Sequence, residues 1–213
     1  MKAHHIPIQK TARYFSEGEL HKDTREVWIV CHGYGQLAEY FLRKFQFLAS
    51  EERVIIAPEG LHRYYLNGSS GRVGASWMTK EDRLTDINDY VRFLDQIYAS
   101  VKSEAPQAKI VVLGFSQGCA TVSRWLSFGE VLCDKLILYA GVFPPDLDIE
   151  LDGSKLKNVP VIIANGDQDE FLQEKDIHHQ LEVLKRHHIY PKYLPFKGTH
   201  QIYTEVLVEI ARI

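Results

Sequence analysis

The sequence predicts an α/β fold with a mostly parallel central sheet flanked by helices on both faces. Three observations carry that expectation. Short apolar runs rich in β-branched residues alternate with longer segments of helical period, as parallel strands and their covering helices do. The chain has 213 residues, 45% hydrophobic and 25% charged, enough for one substantial core and typical of a soluble globular protein. No Pro/Ser-rich linker or internal repeat divides it, so residues 1–213 are expected to form a single domain.

The elements follow in order. Residues 11–20, centred on Glu17-Gly18-Glu19, read as an edge hairpin. Residues 27–31, 53–57, 109–113, 135–140 and 159–164 are core strands, and 191–196 is a weaker one. Helices are expected at 37–49, 117–128, 173–188 and 201–213, the last with Val206, Leu207 and Ile210 facing inward. The clearest helix is 82–102, where Leu84, Ile87, Val91, Leu94, Tyr98 and Val101 recur at spacings of three and four as one stripe. Residues 58–79, with Asn67-Gly68-Ser69-Ser70-Gly71 and Gly74, read as a long loop, and loops of that length are usually functional.

Composition excludes several classes. A formal net charge of −3 supplies no field for phosphate backbones or anionic lipid, so nucleic acid is not an expected partner. The N-terminal stretch has no apolar core suited to a signal peptide and no run is long enough to span a bilayer, so the cytoplasm is the expected compartment. Cys31, Cys119 and Cys133 have no C-x-x-C spacing and read as reduced, buried thiols. The pairs His4-His5, His178-His179 and His187-His188 lack the i, i+4 spacing of a helical metal site.

The chemistry concentrates at four strand ends. Gly114-Phe115-Ser116-Gln117-Gly118 matches G-x-S-x-G between the apolar run Lys109-Ile110-Val111-Val112-Leu113 and a helix. A sharp strand-turn-helix there would lift the Ser116 hydroxyl above the sheet. A serine hydroxyl needs a base within hydrogen-bond reach, itself oriented by a carboxylate. Of the ten histidines, His200 alone lies where the last strand ends and the final helix begins. For the acid, Asp167 and Asp169 both qualify on position beyond the 159–164 strand, and the other is expected to make a local turn bond. Oxyanion stabilisation needs two backbone N–H groups, expected from Gln117 and from Tyr34 in His32-Gly33-Tyr34-Gly35. His32 is expected to brace that loop. Tyr64, Tyr65, Leu66, Trp77 and Met78 either line a substrate pocket, or Trp77 and Met78 only pin the loop to the core.

With these pieces in this order, the chain resembles the phospholipase/carboxylesterase family of the α/β-hydrolase superfamily, which includes acyl-protein thioesterases. The resemblance runs from about Val27 to the C-terminus and rests on His32–Gly35, Gly114–Gly118, Gly166–Asp169 and His200. It implies that the acid is Asp169, the third residue after Gly166. Two departures stand out: Gln36 replaces the Asp that follows His-Gly-x-Gly in relatives, and the stretch after Trp77-Met78-Thr79 is shorter.

The expectation is therefore a serine hydrolase that cleaves carboxylic esters through an acyl-enzyme, with catalytic Ser116, Asp169 and His200 and oxyanion donors Tyr34 and Gln117. Trp77, Met78, Tyr65, Phe171 and Leu172 are the expected substrate contacts, the partner is a small-molecule ester, and no metal or organic cofactor is required. The short stretch after Trp77 and the lack of a long amphipathic lid favour small or medium acyl groups. A thioesterase or lysophospholipase would use the same machinery, and a non-catalytic binding protein on the same fold is the alternative of a different class.

Overall fold

The computed structural model describes residues 1–147 and 155–213. Among these, seven strands form one sheet: β1 (Tyr14–Glu17), β2 (Glu26–Cys31), β3 (Arg53–Pro58), β6 (Lys109–Phe115), β7 (Lys135–Tyr139), β8 (Val161–Gly166) and β9 (Lys192–Phe196). A separate two-stranded ribbon pairs β4 (His62–Tyr65) with β5 (Val73–Ser76). The sheet order is β1-β3-β2-β6-β7-β8-β9, and every pair is parallel except β1 with β3.

Alternation along the central strands divides the apolar residues between two layers. Val27, Ile29 and Cys31 of β2 face one layer with Ile110 and Val112 of β6, under α2 (Arg83–Glu104), α3 (Gln117–Phe128) and α4 (Glu174–Arg186). Trp28, Val30, Val111 and Leu113 face the other, under α1 (Ala38–Leu42) and α5 (Thr204–Arg212). The strands read as nearly continuous apolar runs because both faces are covered. No helix among the described residues is long and apolar enough to cross a membrane.

Four expectations are corrected. Residues 11–20 hold a single edge strand rather than a hairpin, because Tyr14–Glu17 pairs with β3 and Gly18, at φ +87°, turns the chain away. The expected helix at 37–49 stops at Leu42: i to i+3 bonds from Lys44, Phe45 and Leu48 tighten the rest, while Phe41, Phe45 and Leu48 still reach the core. Leu84 is 68% exposed, since the buried stripe of α2 starts one turn later and runs through Ile87, Tyr90, Val91, Leu94, Ile97 and Val101. The loop at 58–79 contains the β4–β5 ribbon, whose tip turns through Gly68 and Gly71, both at positive φ.

Candidate active site

β6 delivers the chain to Ser116, which takes φ 54° and ψ −116° before α3 begins. Positive φ at a non-glycine residue stores on the order of 1–3 kcal/mol and persists only where its surroundings hold it. Here the Ser116 N–H donates to the Tyr139 carbonyl at 3.0 Å and its carbonyl accepts from Cys119 N–H at 2.9 Å. The flanking glycines are steric necessities. A Cβ at Gly114 would stand 2.3 Å from the Gly118 oxygen, and one at Gly118 would stand 2.2 Å from the Cys31 oxygen.

His200 follows β9, and its Nδ1 meets Asp169 Oδ2 at 2.7 Å. The Asp169 side chain is fully buried and its Oδ1 accepts the Phe171 N–H at 2.9 Å. With Nδ1–H turned to the carboxylate, Nε2 is the nitrogen left to accept a proton. The imidazole lies between two rings, Phe115 at 5.0 Å and Phe171 at 4.7 Å. Because Phe115 immediately precedes Ser116, this contact brings the β9 loop to the elbow. Asp167 does not bond His200. Its Oδ1 accepts the Gly198 N–H at 3.0 Å, so the local turn bond expected of it is instead a link between two loops.

The loop after β2 is braced on all sides. His32 is fully buried; its Nδ1–H donates to the Gly33 carbonyl at 2.7 Å and its Nε2 accepts the Gly60 N–H at 2.9 Å. Burial pushes its pKa down to about 4, which keeps the ring neutral and suits a brace. Gln36 accepts the Gly33 N–H on Oε1 at 2.9 Å. The Gly35 N–H donates to the Ala75 carbonyl at 2.9 Å, tying the loop to β5. Between these two committed groups, the Tyr34 N–H takes no acceptor among the described residues. Gln117 opens α3, where N–H groups lack intrahelical acceptors.

The expected substrate contacts divide. Trp77 is not one of them: it is fully buried, stacks against His32 at 5.1 Å and donates Nε1–H to the His32 carbonyl at 2.9 Å. It pins the loop after β2. Met78 is half-buried, with Sδ 3.4 Å from Arg124 Nη1. Tyr65 and Phe171 are exposed and Leu172 is half-buried; of these, Phe171 touches His200. Two supports were not foreseen. The Gln117 side chain bonds Trp77 N at 3.2 Å and the Met78 carbonyl at 2.9 Å, so the residue after Ser116 also fastens the segment beyond the ribbon. Buried Glu59 accepts from Arg13 at 2.7 and 3.1 Å and from Ala38 N–H at 3.3 Å; Pro58-Glu59-Gly60 at a strand end was its one sequence signal.

A family model, described as serine hydrolase (FSH1), matches residues 25–205, from the start of β2 into α5. The chain belongs to the FSH1 serine hydrolase family. The resemblance expected within the α/β-hydrolase superfamily thus resolves to this family. No curated protein sequence matches the chain. Among solved structures, this FSH1-family hydrolase is similar to Zea mays acyl-protein thioesterase 2, with TM-score 0.72 and 16% identity over 95% of this chain and 97% of that one. Esterase PE8 aligns with TM-score 0.70 and 18% identity over 95% and 99%. A Bacillus cereus carboxylesterase aligns with TM-score 0.70 and 16% identity over 94% and 92%. At such identities these structures show the shared α/β-hydrolase fold.

Proposed function

We propose that this FSH1-family serine hydrolase cleaves carboxylic esters of small or medium acyl groups through an acyl-enzyme. The observation that carries the reading is the 2.7 Å bond between Asp169 and His200 Nδ1, with the same imidazole packed on Phe115 beside Ser116. Ser116 Oγ attacks the ester carbonyl carbon and passes its proton to His200 Nε2. Asp169 holds the tautomer and stabilises the imidazolium. The oxyanion is received by the N–H groups of Tyr34 and Gln117. His200 then protonates the departing alcohol, and water, deprotonated by the same nitrogen, releases the acid.

The test is fluorophosphonate labelling together with Ser116→Ala. Labelling at Ser116 and loss of at least about 10³-fold in hydrolysis in a folded variant are expected; residual activity within about tenfold of wild type would refute the assignment. A panel of aryl and thioesters of increasing chain length tests the substrate class. Short esters should turn over fastest, and faster hydrolysis of long-chain lysophospholipid would overturn that choice. Thioesters belong in the panel because a structural neighbour is an acyl-protein thioesterase.

A further inference from the structure

Two side chains with no part in the proposed chemistry act on one short stretch of chain from different sides. Asp167 Oδ1 accepts the Gly198 N–H at 3.0 Å, and the Gln168 N–H donates to the Gly198 carbonyl at 2.9 Å. Both polar groups of Gly198 are therefore held by the loop that carries Asp169. The Tyr203 hydroxyl accepts the Thr199 N–H at 3.0 Å, and the Tyr203 ring occupies the space a side chain at 198 would need, 2.6 Å from that Cβ position. Tyr203 is itself fixed, since its N–H donates to the Tyr139 hydroxyl at 3.1 Å and its ring meets Phe196 at 5.4 Å. Gly166 allows the approach: a Cβ there would stand 2.2 Å from the Gly198 oxygen.

We propose that Asp167 and Tyr203 are positioning residues that clamp the 198–199 segment and so set the placement of His200 relative to Ser116. The proposal rests on the triad reading above. Among the described residues, β9 is an edge strand bonded only to β8, so no further strand there restrains the loop that leaves it. The restraint comes from these two side chains together with the backbone bonds of Asp167 N–H to Phe196 and Gln168 N–H to Gly198. A displacement of about 1 Å at a catalytic group can cost on the order of 10²-fold in rate, whereas neither clamp residue is placed to touch the reacting atoms. The partner of Asp167 is a neutral backbone N–H, so an acceptor oxygen is required of it rather than a charge.

The experiment compares Asp167→Ala, Asp167→Asn and Tyr203→Phe with wild type, per folded molecule. It reads kcat and KM on a short aryl ester, the fluorophosphonate labelling rate, and the downfield proton resonance of the His200 Nδ1–H bond. Asp167→Ala and Tyr203→Phe should lose about 10- to 100-fold in kcat with KM within about twofold, and the resonance should shift or broaden. Asp167→Asn, which keeps the acceptor, should stay within about threefold of wild type. The Phe variant retains the ring and its packing, which guards against mere unfolding. Folded Ala and Phe variants with wild-type kcat and resonance would overturn the clamp, as would an Asn variant as impaired as Ala. Unlabelled Ser116 in the wild-type protein would overturn the triad reading and the clamp together; a labelled wild type with unaffected variants overturns the clamp alone.

Discussion

At the scale of single residues, the site separates groups that react from groups that hold. Asp169 is buried, bonds His200 through one oxygen and takes the Phe171 N–H on the other, so its carboxylate is fully committed. Asp169→Asn should keep this shape but present the wrong group to Nδ1, and kcat should fall by about 10³ to 10⁴ with the fold retained. Steady-state kinetics beside a thermal melt check this; a fall of less than about tenfold would point to a different acid. Trp77 gives the opposite lesson. An aromatic residue in a glycine-rich segment suggests a substrate contact, yet full burial and a bond to the His32 carbonyl make it a support for the loop above it. Its neighbours in space, His32 and Tyr90, are distant in sequence.

At the scale of elements, the β4–β5 ribbon braces the loop after β2, whose Tyr34 N–H is a proposed oxyanion donor. Ala75 bonds both Gly35 and Gln36 through its backbone, and Gly74 packs so tightly that a Cβ would stand 2.4 Å from the Gly35 oxygen. Gly74→Ala should push the ribbon off the loop, costing about 1–3 kcal/mol of stability and lowering kcat. Gly68→Ala, at the ribbon tip with φ +63° and nothing within 4 Å of its Cβ position, is the control. Its backbone strain should cost a comparable 1–2 kcal/mol or so and leave kcat unchanged. Equal kcat in the two variants would mean that the ribbon does not position the oxyanion donors.

At the scale of the whole molecule, His32 ties the central sheet to the acid response of the fold. It is fully buried, links the loop after β2 to Gly60 beyond β3, and burial lowers its pKa from 6.5 to about 4. Below pH 6.5 the unfolded chain takes up a proton that the folded one refuses, so this stability is complete above pH 6.5. It drains away as pH falls toward 4, where the folded protein protonates as well. The loss is on the order of 3 kcal/mol across that window. Urea unfolding of wild type and His32→Asn between pH 7.5 and 4 tests it. The variant should be less stable at pH 7 but less sensitive to acid, and parallel pH profiles would show that His32 is not the group responsible.

The sequence by itself determined the sheet, the elbow and the loop ends that carry Ser116, Asp169 and His200. Parallel strands covered on both faces must be continuous apolar runs, and a turn as tight as that at Ser116 demands glycines at fixed spacing, so both leave marks in local composition. The tertiary structure decided what depends on contacts between distant segments. The 58–79 segment looked like a loop because a ribbon docked by its backbone on residues 33–36 needs no apolar periodicity of its own. Leu84 matched the helical stripe yet lies before α2 reaches the core, and periodicity carries no information about where a neighbour begins. Asp167 and Asp169 were indistinguishable by position until the loop folded, because the side chain that meets His200 is selected by contacts 31 residues apart in the chain.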